Sequence, residues 1–287
     1  MSTRAWSFVG LAYLFSWGLA ALAWVIGVPF KGLGGAAIGV LFMWGPGLAA
    51  LLLARREGRA IGALFGLKVR PSRVWVLAWV GPLLLAWITL AVGAALPGVS
   101  WSPAFDALLS RFGDALPPEA VAQLAEKVEG RDLFIFALAS IAALVAGPTV
   151  NALAAIGEEL GWRGYLHVET EGLGFWRQSI LVGALWGLWH APLILQGHNY
   201  PSAPGLGVGA MVLACVAMSP VLTWLRARAG TVWVAAIFHG GVNAAAGLSL
   251  LFISGGSEFL VGTMGLAGMI SYLGVALLLP RAQPGAP

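Results

Sequence analysis

Charged residues are scarce in this 287-residue chain. Asp, Glu, Lys and Arg make up 10% of it, against about 25% in ordinary soluble domains. Hydrophobic residues make up 59%, and the mean hydropathy is +0.87, which excludes a soluble globular protein. Cys215 is the single cysteine, which excludes a disulfide scaffold. The net charge is +4, but the basic residues are scattered among apolar segments, so we expect no nucleic-acid partner.

Long apolar runs recur along the chain, each close to the roughly 20 residues that a helix needs to cross the hydrocarbon core. Helices are expected because they satisfy their own backbone hydrogen bonds in lipid, and the alternation of a barrel strand is absent. The predicted spans cover residues 5–29, 34–54, 74–96, 132–157, 177–195, 206–225, 231–252 and 259–280. We therefore predict an all-α polytopic membrane protein with about eight spans, one domain over residues 1–280 and a disordered tail at 281–287.

The first apolar run has features of a signal peptide, since Arg4 precedes it and Ala21-Leu22-Ala23 resembles a cleavage site. The run continues to Phe30, however, and is longer than the apolar core of a signal peptide. We expect it to be retained as the first span.

Orientation follows from the Lys and Arg residues of the connections, which are in excess on the cytoplasmic side. With the N-terminus inside, twelve of the sixteen basic residues are cytoplasmic. The four on the other side are Lys31, Arg111, Lys127 and Arg131. We expect both termini to be cytoplasmic, and an amphipathic surface helix at residues 118–130 of the long outer connection. The chain is expected in a bacterial inner membrane.

Gly183 and Gly187 have the spacing of a small-residue helix contact. Glycine is also common in membrane helices without any packing role. Both interpretations stay open from the sequence.

Strongly polar residues inside membrane spans are expensive, so each needs a partner or a purpose. Three clusters occur here. The first is residues 157–163, Gly-Glu-Glu-Leu-Gly-Trp-Arg; the second is His190, with Trp186 before it; the third is His239 with Asn243.

Helical spacing separates the two glutamates of the first cluster. Glu159 and Arg163 are four residues apart and can form an ion pair on one helix face. Glu158 is rotated by about 100° from Glu159 and lacks that partner. A partly desolvated carboxylate without a cation suits the removal of a proton from water. The alternative places both glutamates at the lipid headgroups beside Arg163.

The histidine clusters also allow two interpretations. His239 and Asn243 share a helix face, so they could stabilise an oxyanion together, or hold two helices together by a hydrogen bond. His190 is either a third member of the site or a packed bundle histidine. We expect the clusters to converge in the cytoplasmic half, whereas His167 and His198 are expected at the surface.

These residues resemble the CPBP family of intramembrane endopeptidases, which includes type II CAAX prenyl proteases and proteins linked to bacteriocin self-immunity. Residues 158–164 look like its E-E-x-x-x-R motif, and His239 and Asn243 look like its H-x-x-x-N motif. His190 corresponds to the histidine of its F-x-x-x-H motif, although Trp186 replaces the phenylalanine. The resemblance covers about residues 140–250 and leaves the first three spans without a motif.

The resemblance implies a metal-free peptidase. Glu158 would be the general base, His190 would position the attacking water, and His239 and Asn243 would form the oxyanion hole. Glu159 and Arg163 would support the site. The substrate implied is a membrane-associated peptide or a lipidated, CAAX-like protein that enters from the membrane or the cytoplasm. Membrane lipids are the other expected partner.

Alternatives to this interpretation remain. A catalytic zinc ion could be held by Glu158, His190 and His239, although the H-E-x-x-H spacing of helical zinc proteases is absent. A transporter or a non-catalytic immunity or scaffold protein would use the polar cluster to bind an ion or to hold the bundle together, but the paired discontinuous helices of transporters are not evident. For an enzyme, we expect a cavity that opens to the cytoplasm. Trp162, Trp186 and Trp189 are expected to line its apolar approach.

Overall fold

The computed structural model describes residues 1–28, 32–69, 71–104, 106–107, 119, 123, 126–127 and 130–280. Most of the predicted surface helix at 118–130 and the whole tail at 281–287 lie outside these residues. The helices that are described are α1 Thr3–Val25, α2 Gly32–Met43, α3 Gly45–Arg56, α4 Ile61–Leu64, α5 Arg73–Ala94, α6 Asp132–Ala146, α7 Ala152–Glu159, α8 Leu166–Thr170, α9 Phe175–Trp189, α10 Ala191–Leu195, α11 Pro204–Ala229, α12 Val232–Ala245 and α13 Leu266–Leu278.

The predicted all-α membrane architecture is confirmed. Six helices of the described chain are long and apolar enough to cross a membrane. The only strands among the described residues are β1 (Val99–Trp101) and β2 (Ile253–Gly255), which pair antiparallel. The count of eight long spans is not confirmed, because the fifth predicted span breaks at His190 into α9 and α10, and the eighth contains only the 13 residues of α13.

The fourth predicted span does not end at residue 157. A continuous helical rod of 42 residues runs over Asp132–Leu173 and passes straight through the paired glutamates. The helix continues because Glu158 and Glu159 are buried among protein groups rather than placed at lipid headgroups. Two π-helical turns, Gly147–Asn151 and Leu160–Tyr165, interrupt the rod. Such turns are rare and frequently occur at functional sites.

Helices α9 and α11 pack closely at the glycine pair of α9. A Cβ atom on Gly183 would lie 2.8 Å from the carbonyl oxygen of Cys215, and one on Gly187 would lie 2.5 Å from the Cα atom of Val212. Both neighbours belong to the backbone of α11, so only glycine allows the two helices to approach this closely. Of the two interpretations of this spacing, the packing role is therefore the one that the structure supports.

The ends of the helices form two opposite faces. We call one the basic face; it carries the exposed residues Arg4, Arg56, Arg73, Arg177 and Arg228. We call the other the loop face; it is made of residues 196–203 and 256–265. On the basic face Arg59 pairs with Glu169 at 2.7 Å. On the loop face Tyr200 donates a hydrogen bond to the carbonyl of Met264 at 2.6 Å.

The positive-inside rule predicts that the basic face is cytoplasmic. Two exposed serines test it, Ser72 on the basic face and Ser257 on the loop face, and the native Cys215 is buried and gives little background. In intact cells, a membrane-impermeant maleimide should label Ser257→Cys and spare Ser72→Cys. Lysed cells, in which both variants should react, provide the control. The reverse pattern in intact cells would contradict the orientation.

Candidate active site

The paired glutamates end helix α7, and the following π-helical turn carries Arg163. The Nη1 atom of Arg163 donates to Oε1 of Glu159 at 3.2 Å. Both side chains are 0% exposed. The ion pair predicted from the four-residue spacing is thus present, and it is buried in the bundle rather than lying at the lipid headgroups.

Helices α11 and α12 complete the surroundings of this pair. Nδ1 of His239, on α12, lies 2.9 Å from the same Oε1 atom of Glu159. Arg163 Nη2 also donates to Oγ of Ser219, on α11, at 3.3 Å. Helix α12 reaches the rod closely because a Cβ on Gly240 would lie 2.5 Å from the carbonyl oxygen of Gly147. Glu159 therefore links Arg163 to His239.

Glu158 points to a different partner, as its rotation on the helix predicts. The indole Nε1 of Trp186 donates to Oε2 of Glu158 at 2.5 Å. The guanidinium of Arg163 stacks over the Trp186 ring, 4.5 Å from a ring centroid. Trp186 thus contacts the side chains of both motif residues, a role that the spacing did not reveal. Its signal in the sequence was an indole N–H at the motif position where phenylalanine is expected.

His190 lies at the break between α9 and α10 and is 8% exposed. Its Nδ1 atom is 2.9 Å from the carbonyl oxygen of Trp186. A carbonyl oxygen only accepts, so Nδ1 carries the proton and Nε2 of the neutral ring is left as an acceptor. The backbone of Trp186 therefore sets the tautomer of His190.

One cavity of about 550 Å³ joins the three clusters. Glu158, His190, His239 and Asn243 all line it. Its apolar wall includes Phe42, Met43, Leu193, Met211 and Met218. A carboxylate, two imidazoles and an amide thus face one space large enough for a ligand.

The tryptophans that were expected along the approach divide into two groups. Trp186 and Trp189 line the cavity. Trp162 does not, because it is fully buried and packs edge-on against Phe8. His198 was expected at the surface and is exposed, but it also belongs to the cavity wall. His167 is half-buried on the basic face.

The cavity opens away from the basic face. Its outer wall contains His198, Asn199, Thr263 and Met264, which are loop-face residues. The two ends of the described chain lie at the basic face, where Ser2 bonds to Glu169 and Pro280 accepts from Trp224 near the end of α11. The described ends of the chain and the outer wall of the cavity therefore lie at opposite faces, and which of the two faces is cytoplasmic stays a prediction. The charges of the connecting loops predict the orientation of the bundle in the membrane. They do not indicate at which face the cavity lies.

A zinc site receives no support from the geometry. Within the described part of the chain, no three His, Cys, Asp or Glu side chains are grouped so that they could hold a metal ion.

The central part of the chain is similar to known proteins. Residues 135–245 match the family described as type II CAAX prenyl endopeptidase, Rce1-like. The family resemblance of this segment is confirmed. A protein named CAAX prenyl protease 2 from Methanococcus maripaludis is 34% identical over 98 residues. The match covers 32% of this chain and 36% of the relative, so the chain aligns with about a third of the relative's length. All six predicted site residues lie within the Rce1-like segment.

Removal of Arg163 tests the importance of the buried pair. Arg163→Leu leaves Glu159 buried without its cation, which we expect to lower the free energy of unfolding by about 3–5 kcal/mol. The matched control is Arg59→Leu. Its pair with Glu169 is partly exposed, at 23% and 11%, and its loss should cost under about 1 kcal/mol. Thermal unfolding of the purified proteins in detergent measures both. Equal shifts would contradict a dominant role of the buried pair.

Proposed function

We propose that the chain is an intramembrane endopeptidase that hydrolyses a peptide bond in a membrane-associated or lipidated, CAAX-like substrate. The observation that carries the proposal is the single cavity shared by Glu158, His190, His239 and Asn243. A general base, a hydrogen-bond acceptor for water and two oxyanion donors are the parts that acyl transfer to water requires. The Rce1-like segment supports the same reaction class.

Glu158 acts as the general base. Trp186 Nε1 holds one carboxylate oxygen, which fixes the group at the cavity wall. The other oxygen takes a proton from a water molecule as that water attacks the scissile carbonyl carbon. His190, with its proton held on Nδ1 by the Trp186 carbonyl, offers Nε2 as an acceptor for the second proton of the water. The water is thus oriented from two directions.

His239 and Asn243 stabilise the tetrahedral intermediate. One face of α12 carries both side chains into the cavity, so that the imidazole Nε2–H and the amide N–H can donate to the developing oxyanion. Nδ1 of His239 is bonded to the Glu159 carboxylate, which fixes the orientation of the ring; the donor role needs a ring that carries a proton on each nitrogen. Collapse of the intermediate breaks the C–N bond, and the proton held by Glu158 passes to the leaving amine.

The walls of the cavity suit a lipidated substrate. Four methionines, Met43, Met211, Met218 and Met264, line it together with aromatic rings. Methionine side chains adapt their shape to irregular apolar ligands. The name of the Methanococcus relative, CAAX prenyl protease 2, supports a prenylated C-terminal peptide as the first substrate to assay. The reaction as proposed uses no metal ion or other cofactor.

The first test is Glu158→Gln, assayed with a quenched-fluorescence peptide that ends in a prenylated CAAX motif and with its unlipidated counterpart. Loss of the base should lower kcat by about 10²–10⁴-fold. The matched control is Glu171→Gln, because Glu171 is exposed on the basic face, and its kcat should not change. Activity of the unmodified chain should survive dialysis against a chelator.

Retention of more than a tenth of the kcat by Glu158→Gln would contradict the assignment of the base. Loss of activity with the chelator and its recovery with zinc would favour the metal-dependent alternative.

Trp186→Phe tests the role of the hydrogen bond from the Trp186 indole to Glu158, the proposed general base. Phenylalanine keeps an aromatic ring under Arg163 but has no N–H for Glu158, and a hydrogen bond to a carboxylate stabilises its ionised form. We expect the acidic limb of the pH profile of kcat/KM to move to higher pH by about one unit. The control is Trp162→Phe, because among the described residues no acceptor binds the buried Nε1 of Trp162. A profile that moves equally in both variants, or in neither, would contradict this role of Trp186.

A further inference from the structure

A second cavity, of about 560 Å³, lies on the loop face. It shares Asn199, Ala246, Thr263 and Met264 with the first cavity. The two cavities are therefore neighbours, with these four residues between them at the loop-face end of the proposed catalytic site. An extended chain bound in the first cavity would reach the second across these residues.

Glu258 gives the second cavity its charge. Among the described residues that line this cavity, it is the only Asp, Glu, Lys or Arg. The backbone N–H of Ser202 donates to its Oε1 atom at 2.9 Å. Partial burial opposes ionisation, but the hydrogen bonds from Ser202 outweigh it and lower the pKa of the Glu258 carboxyl. The group therefore carries a negative charge at neutral pH and is held in place from one side.

The rest of the wall suits an extended peptide. Five of the lining residues are glycines, which leave the backbone accessible: Gly197, Gly247, Gly256, Gly262 and Gly265. Asn199, at the junction of the cavities, has φ of 59°, the only positive φ of a non-glycine residue in the described ranges. Such conformations persist where the surrounding structure holds them, often at binding sites. The hydrogen bond from Tyr200 to the Met264 carbonyl fixes the two loops to each other.

We propose that the second cavity is a subsite for the substrate residues on one side of the scissile bond, and that Glu258 selects a lysine or arginine side chain there. The proposal rests on the proposed function, since it assumes a peptide held across Glu158. A peptide is favoured over a small cation because the subsite shares four lining residues with the proposed catalytic cavity and is too large for a bare ion.

The experiment uses prenylated, quenched-fluorescence peptides in which Lys, Gln or Glu occupies, in turn, each position within three residues of the scissile bond except that of the prenylated cysteine. The unmodified chain should prefer Lys over Glu at one position by about tenfold in KM, with kcat unchanged. Glu258→Gln keeps an acceptor for Ser202 and should abolish the preference. Glu258→Lys should reverse it. Glu171→Lys, with the same charge change on the basic face, should leave it intact.

Binding of the same peptides to the full-length Glu158→Gln protein separates this proposal from the proposed function. A charge preference in the Kd that disappears in the Glu158→Gln, Glu258→Gln double variant supports the subsite even if no peptide is cleaved. Cleavage with a charge preference that does not change when Glu258 is substituted would overturn the subsite but not the proposed peptidase activity. Absence of both cleavage and charge-dependent binding overturns both.

Discussion

The buried contact between Arg163 and Glu159 constrains the whole bundle. Charges inside a membrane domain are costly unless each is paired and hydrogen-bonded. Here Oε1 of Glu159 gains a second partner because α12 brings His239 to it, and the guanidinium of Arg163 gains one because α11 brings Ser219. The rod and these two helices must therefore meet at one depth, and the glycines where the rod crosses α12 allow their close approach.

Trp186 extends this constraint to the cavity. Its ring lies under Arg163, its N–H binds Glu158 and its carbonyl holds His190. Three groups with different chemistry are thus positioned by one side chain and its backbone. Adjacent glutamates consequently differ in environment. Glu159 is bonded to the guanidinium of Arg163 and the imidazole of His239. Glu158 instead accepts a hydrogen bond from the neutral indole of Trp186 and lines the cavity. That difference separates a supporting carboxylate from one able to accept a proton.

The sequence predicted local relationships well and long-range ones poorly. The four-residue spacing was sufficient for the Glu159–Arg163 pair, because a helical turn relates the two residues directly. The division between Glu158 and Glu159 followed from the same geometry. The bond from Trp186 to Glu158 joins residues of different helices, so spacing contains no information on it. Hydropathy also placed the end of the fourth span at its first charges, since it cannot distinguish a buried, paired charge from one at the lipid surface.

The position of the cavity opening shows the same limit of prediction from the sequence. Charge counting predicts that the basic face is cytoplasmic, and the depth of the polar clusters led us to expect a cytoplasmic opening, yet the cavity wall reaches His198 and Met264 on the opposite face. The break at His190 lies along this part of the cavity wall. Helix α9 ends at Trp189, α10 begins at Ala191, and His198 and Asn199 of the loop that follows line the cavity. The face toward which the cavity extends thus depends on where one helix stops, while the predicted orientation depends on charges at the other end of the bundle. The two properties are physically independent, so the side from which the proposed peptide substrate would reach Glu158 depends on both the helix break and the distribution of arginines.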